Sequence, residues 1–306
     1  MACSCRIWKI MDPSSVLLPL WAYFLCALTC ADAAGFIHSS PLRLRQLTRA
    51  NAVSTATGRS EAAIGWGNPD GVTLREVTDN VWEANRPFLW NTIDVGSRMV
   101  LIRLKDGSLW AHSPVNLDIP TRAEVDALGP VKHIVSPNFE HLKYGPLWGQ
   151  AYPDAVTYGC PGLMAREPWC MQEVANDPPD SWLDEFECCF IDCEQNPFTR
   201  KSFFNEVVFF HKPSKTLITS DFYWNYPSTS PSRPIPQSTR LWKFGMDRVY
   251  LPFYKRLMIT DKGRFNELVE RVLGWRAERI IPCHGSIVEG RDACEAEIRR
   301  QTGLTD

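Results

Sequence analysis

The residues that could do chemistry in this 306-residue chain sit at three stations far apart in sequence. Glu140 and His141 close VKHIVSPNFEH, Asp221 closes TLITSD, and His284 lies in RIIPCHG. Each follows a short apolar run that reads as the end of a buried strand: His133–Val135, Thr216–Thr219 and Arg279–Ile281. Two imidazoles and two carboxylates are borderline nitrogen and hard oxygen donors. Brought together, they suit one divalent ion such as Zn, Mn or Fe. Such an ion lowers the pKa of a bound water to about 7, and Asp221 is the carboxylate expected to orient that water or accept its proton. Taken singly the signals are weak. An Asp after a strand is most often a turn or helix cap, and a His in a Pro-x-His-Gly turn is most often structural. They gain weight only if the strands end on one edge of a covered sheet, where ligands bind.

The elements that must position these residues are legible around them. RMVLIRLKDGSLWAHSP reads as a hairpin, with Asp106-Gly107 as its turn. PTRAEVDALG reads as a short helix with Thr121 as N-cap, Glu124 completing a capping box, and Gly129 ending it. NEVVFFHKPSKTLITSD is a second hairpin around Lys212-Pro213-Ser214-Lys215. KGRFNELVERVLGW is an amphipathic helix with Phe265, Leu268, Val269, Val272 and Leu273 on one side. GRDACEAEIRRQ closes the chain as a helix. Cys160 to Arg200 is rich in Pro, Trp and acid and resists assignment. Phe222 to Arg240, with Pro227, Pro231, Pro234 and Pro236, reads as a surface loop.

Other titratable residues have plainer expectations. His112, in WAHSP, is a structural histidine or a donor behind the site. His211 is expected to bond within its hairpin, and His133 to sit in the core. Lys143 and Tyr144 read as a solvated face. Cys188, Cys189 and Cys193 read as buried small hydrophobes rather than a redox or metal cluster. Cys283 could add a soft donor beside His284.

The stations SPNFEH, TSD and PCHG resemble the motif order of the metallo-β-lactamase superfamily: His-x-His-x-Asp-His, then Thr-Gly-Asp, then Pro-x-His-Gly. FEHLKYG and NEVVFFHKPSKTLITSD are similar to an uncharacterised metallo-β-lactamase-like family of cyanobacteria and photosynthetic eukaryotes. The resemblance implies an α/β fold, a four-layer αββα sandwich, from about residue 75 to 300. Aligned on His141, the first two family histidines fall on Ser136 and Asn138 and the family Asp on Glu140. No His stands near Gln195 to Arg200, where another is expected. The resemblance thus implies that the first metal position is lost. The second keeps Glu140, His141, Asp221 and His284, with one divalent ion or none.

Composition bounds the rest. A net charge of -2 gives no basic field for nucleic acid. Residues 1–34 read as a signal-peptide-like segment, with Arg6 and Lys9 ahead of the apolar run Val16 to Ala31. Residues 35–65 read as disordered and transit-peptide-like, rich in Arg, Ser and Thr. The AAGF junction resembles the bipartite presequence of secondary plastids; a secreted or anchored protein is the alternative. The mature part, 66–306, is expected to be a single domain without a stable membrane span. Its seven irregularly spaced cysteines fit a reducing compartment better than a disulfide framework. Two functions stand side by side. One is a plastid hydrolase of an ester, thioester or related small metabolite. The other is a non-catalytic binding or assembly module, with Phe222 to Trp242 as contact surface.

Overall fold

The computed structural model describes residues 58–90, 92–227 and 234–304. The presequence expectations for 1–57 lie outside them. Folded structure reaches back beyond Trp66, where the sequence placed its start: Arg59 bridges Val72, and Ser60 is buried and bonded to Asp118.

Fourteen strands follow in chain order: β1 (Arg75–Thr78), β2 (Val81–Arg86), β3 (Leu89–Trp90), β4 (Ile93–Asp94), β5 (Ser97–Arg103), β6 (Leu109–His112), β7 (Val131–Ser136), β8 (Val156–Gly159), β9 (Gln172–Glu173), β10 (Phe186–Phe190), β11 (Val207–His211), β12 (Thr216–Thr219), β13 (Arg279–Pro282) and β14 (Val288–Glu289). One sheet has seven strands in the order β1-β2-β5-β6-β7-β8-β9, and the other has five in the order β10-β11-β12-β13-β14. The helices are α1 (Ile119–Leu128), α2 (Gly145–Ala151), α3 (Gln237–Gly245), α4 (Lys262–Gly274) and α5 (Arg291–Thr302).

Strand alternation sorts side chains into layers. Val100, Ile102, Trp110 and Val135 of the first sheet meet Phe186, Cys188, Phe209, Ile218 and Ile281 of the second between the sheets. The intervening residues Met99, Leu101, Ala111 and Ile134 face outward onto Val125 of α1 and Trp148 of α2. Cys189, Val208, Leu217 and Ile280 face the other way, onto Phe265, Leu268, Val269 and Val272 of α4 and Ile298 of α5. Helix, sheet, sheet, helix is therefore the layer order. Both hairpins and both C-terminal helices form where the sequence placed them.

Two local expectations are corrected. The N-cap of α1 is Asp118, not Thr121. Its carboxylate accepts from the Thr121 N–H at 3.0 Å, and Pro120 starts the helix where no N–H is needed. Glu124 instead accepts from the Thr73 hydroxyl at 3.0 Å. Of the stretch after Asp221, residues 228–233 lie outside the described residues, and the part before them is not a surface excursion. Phe222, Tyr223, Trp224 and Tyr226 are buried in the second-sheet core, and α3 starts at Gln237. From there π-helical Met246–Tyr250, one α-helical turn Leu251–Phe253 and π-helical Tyr254–Met258 carry the run onward. Aromatic content outweighed the prolines that read as loop.

Candidate metal centre

Three strand ends converge. β6 and β7 run parallel with His112 opposite Val135, so Ser113 and the 137–141 turn leave the first sheet together. β12 and β13 run parallel with Thr219 opposite Pro282, so Asp221 and His284 each emerge two residues beyond that pair. One donor atom from each of His141, Asp221 and His284 lies within 4.8 Å of the others. His141 Nε2 is 3.3 Å from Asp221 Oδ2, and His284 Nε2 is 3.6 Å from Asp221 Oδ1.

Each donor is held from behind. His141 Nδ1 meets the Ser113 hydroxyl at 2.7 Å. His284 Nδ1 donates to the Gly96 carbonyl at 2.8 Å, which leaves Nε2 to face Asp221. Asn138, fully buried, donates from Nδ2 to Asp221 Oδ2 at 2.7 Å and to Glu206 Oε2 at 3.2 Å. Its Oδ1 accepts from the Glu140 and His141 N–H groups, which sets the turn that presents His141. Glu206 in turn accepts from the N–H groups of Ser220, Asp221 and Phe222 at 2.6 to 2.9 Å.

The loop carrying His284 is clamped as well. Arg98 of β5 pairs with Glu83 at 2.7 Å and donates to the carbonyls of Pro282 and Gly285. Gly285 has φ +97°, and a Cβ there would stand 2.0 Å from the Asn225 carbonyl oxygen, so only glycine fits. Tyr226 stacks near His284, with ring centroids 6.1 Å apart.

Burial disfavours charge throughout, but partners decide the outcome. At His141 burial is outweighed by the Asp221 carboxylate and then Cys283, and the ring is held well above the usual histidine range. Burial of Asp221 is outweighed by His141 and then His284, so its carboxyl stays below its ordinary value. Burial lowers His284 despite Asp221. Glu140 is exposed at the mouth of the site. The protein around its carboxyl, and then the Asp221 charge, push it up to about 7.

Of the four expected donors, His141, Asp221 and His284 meet, and Glu140 stands outside the group of three. At the positions of the two missing histidines, Ser136 is buried and Asn138 has its amide spent on other partners. His112 is buried behind the site, with Cys283 Sγ 4.0 Å from its Nδ1. His211 bonds Ser214 within its hairpin, and His133 is buried against Tyr158. Cys188, Cys189 and Cys193 are buried and free. Lys143 is exposed, as expected, but sits in a turn rather than on a helix, with its ammonium over the Phe88 and Tyr144 rings. Glu206 was missed. The signal was there: a carboxylate opening the apolar run VVFF must find donors if it is buried.

A two-sheet sandwich covered by helices, with donors gathered at the strand ends, is the metallo-β-lactamase fold. Rubredoxin oxygen:oxidoreductase from the anaerobe Desulfovibrio gigas matches with a TM-score of 0.54 at 16% identity, covering 75% of this chain and 61% of that one. TMB-1, in a structure concerned with substrate and inhibitor binding, matches at 0.50 with 12% identity, covering 76% and 95%. DIM-1 metallo-β-lactamase exposed to ceftazidime gives 0.48 with 15% identity, covering 76% and 94%. At such identities the likeness is one of fold. The chain belongs to the family described as Domain of unknown function (DUF4336), which matches residues 78–241. No protein with a curated description matches it.

Proposed function

We propose that this chain is a single-metal hydrolase acting on an ester, thioester or related small metabolite, with His141, Asp221 and His284 as the metal donors. The observation that carries this reading is the approach of their three donor atoms to within 4.8 Å of one another. Donors bonded at about 2.0–2.1 Å to a tetrahedral ion stand roughly 3.4 Å apart. The 3.6 Å separation of His284 Nε2 from Asp221 Oδ1, the oxygen that Asn138 leaves free, is close to that spacing.

A divalent ion held there would supply Lewis acidity and an activated water. The chain's own residues do the rest. Ser113 and Gly96 fix the outer nitrogens of His141 and His284, so the inner nitrogens stay aimed. Asn138 ties up Asp221 Oδ2 and leaves Oδ1 toward His284. Asp221 is held ionised and orients the nucleophile. Glu140 stands exposed beside the site and outside the donor group. With Asn138 fully bonded, a second ion has no ligand from that position.

Elemental analysis of the purified chain tests this. It should hold near one equivalent of Zn, Mn or Fe, and His141→Ala with His284→Ala should empty it while circular dichroism stays native. One observation favours the second reading, a non-catalytic module: Asp221 is already satisfied by Asn138 and His141 without any ion. A metal-free chain whose melting is unmoved by chelator would support that reading. Residence in a plastid is part of the proposal and rests on the N-terminal segment alone. A fluorescent fusion of residues 1–65 that stays outside plastids would remove it.

A further inference from the structure

The helical run 237–258 has an outer face that nothing in the site uses. Leu241, Phe244, Arg248, Pro252 and Arg256 recur at three- and four-residue spacing and are all exposed. Val249 and Leu257 flank them. These four large apolar residues, Leu241, Phe244, Val249 and Leu257, are each 40% to 56% exposed.

The charge on this face has one sign. Within 237–258 stand Arg240, Lys243, Arg248, Lys255 and Arg256 against the single acid Asp247, in a chain whose net charge is -2. Lys243 pairs with Asp247 at 2.6 Å. Arg240, Arg248 and Arg256 are exposed and have no carboxylate partner among the described residues.

The geometry points to this face as a docking surface for an anionic lipid bilayer, lying along the headgroups. Apolar tips that protrude singly between arginines match an interfacial helix, which buries the tips and pairs the cations with lipid phosphates. A protein partner would call for a contiguous apolar centre depleted of charge, with a polar rim, whereas here exposed arginines alternate with the apolar tips along the run. The inward side of the same run, Met246 and Tyr250, packs in the core cluster that also holds Tyr226, which stacks near His284.

Flotation of the full chain with vesicles tests this. The probes are pure phosphatidylcholine vesicles and phosphatidylcholine vesicles enriched in phosphatidylglycerol. The chain should bind the anionic vesicles, ignore the neutral ones, and release with added salt. Arg248→Gln with Arg256→Gln should weaken partitioning about thirtyfold, and Phe244→Asp should weaken it as well, with melting temperatures unchanged. Equal binding to both vesicles, or no binding, would overturn the proposal. So would native binding by the variants, which would place the contact elsewhere in the chain. A dimer that Phe244→Asp splits, in a chain that binds no vesicle, would make a second copy the occupant instead.

Discussion

Asn138 donates through Nδ2 to Asp221 Oδ2 at 2.7 Å, across 83 residues of chain. The same nitrogen reaches Glu206, so one amide separates two buried carboxylates that would otherwise repel. Asn138→Asp keeps the shape and removes the donor, leaving three acidic groups in contact. The expected loss is about 3 kcal/mol or more of stability, read from urea melts. An unchanged midpoint would mean that the amide does not hold these carboxylates apart.

Arg98 joins the two sheets beneath His284 through Glu83 and the carbonyls of Pro282 and Gly285. Arg98→Met leaves buried Glu83 with only the longer Arg75 contact, at 3.4 Å, and frees the loop. A stability loss of about 3–5 kcal/mol is expected. In Arg98→Lys a single ammonium replaces the fork, so part of that loss remains. Thermal melts of both variants decide this.

Gly285→Ala meets the Asn225 carbonyl and an unfavourable φ together. It should cost more than about 2 kcal/mol and lower metal retention as His284 is displaced. A variant with native melting and native metal content would show that the loop tolerates a side chain.

Burial pushes His133 and His211 down to about 4, with an unfavourable nearby lysine acting on each. Unfolded imidazoles titrate near 6.5. Between pH 6.5 and 4 the unfolded chain therefore binds more protons, and stability falls as pH falls through that window. Each ring accounts for at most about 3 kcal/mol. Urea melts across this range should show a shallower decline for His133→Gln and for His211→Gln. Profiles parallel to the native one would mean that neither ring is buried neutral.

All seven cysteines among the described residues are buried and free. Burial pushes six thiols up. At Cys283 burial is outweighed by the His141 and His112 rings, which pull it well below the usual thiol range. Mass-mapped alkylation of the native protein should leave Cys160 to Cys294 unlabelled until denaturant is added. Rapid labelling at Cys188 or Cys193 would revive a thiol-based role.

The sandwich was legible because strand alternation and the Asp-Gly turn act locally and survive in the sequence. The strand-end stations were legible for the same reason, since a polar residue after an apolar run marks an edge. Glu206 and Arg98 were not. Their roles depend on partners from distant strands, and no local spacing encodes those. The aromatic stretch after Asp221 was misjudged because prolines dominate its composition while its rings face inward. Pro120 masks the start of α1 at Asp118 in the sequence, which makes Thr121 read as the cap.

The parallel pairing of β12 with β13 has one more consequence. Asp221 and His284 are placed by where their strands stop, not by the chain that runs between them. Among the 62 residues between them, Asn225, Tyr226 and β13 hold the His284 loop, and it is the chain between those anchors that can change length without resetting where the two strands stop. Sequence is thus free to drift in that stretch, while the corner that gathers the three donors keeps its shape.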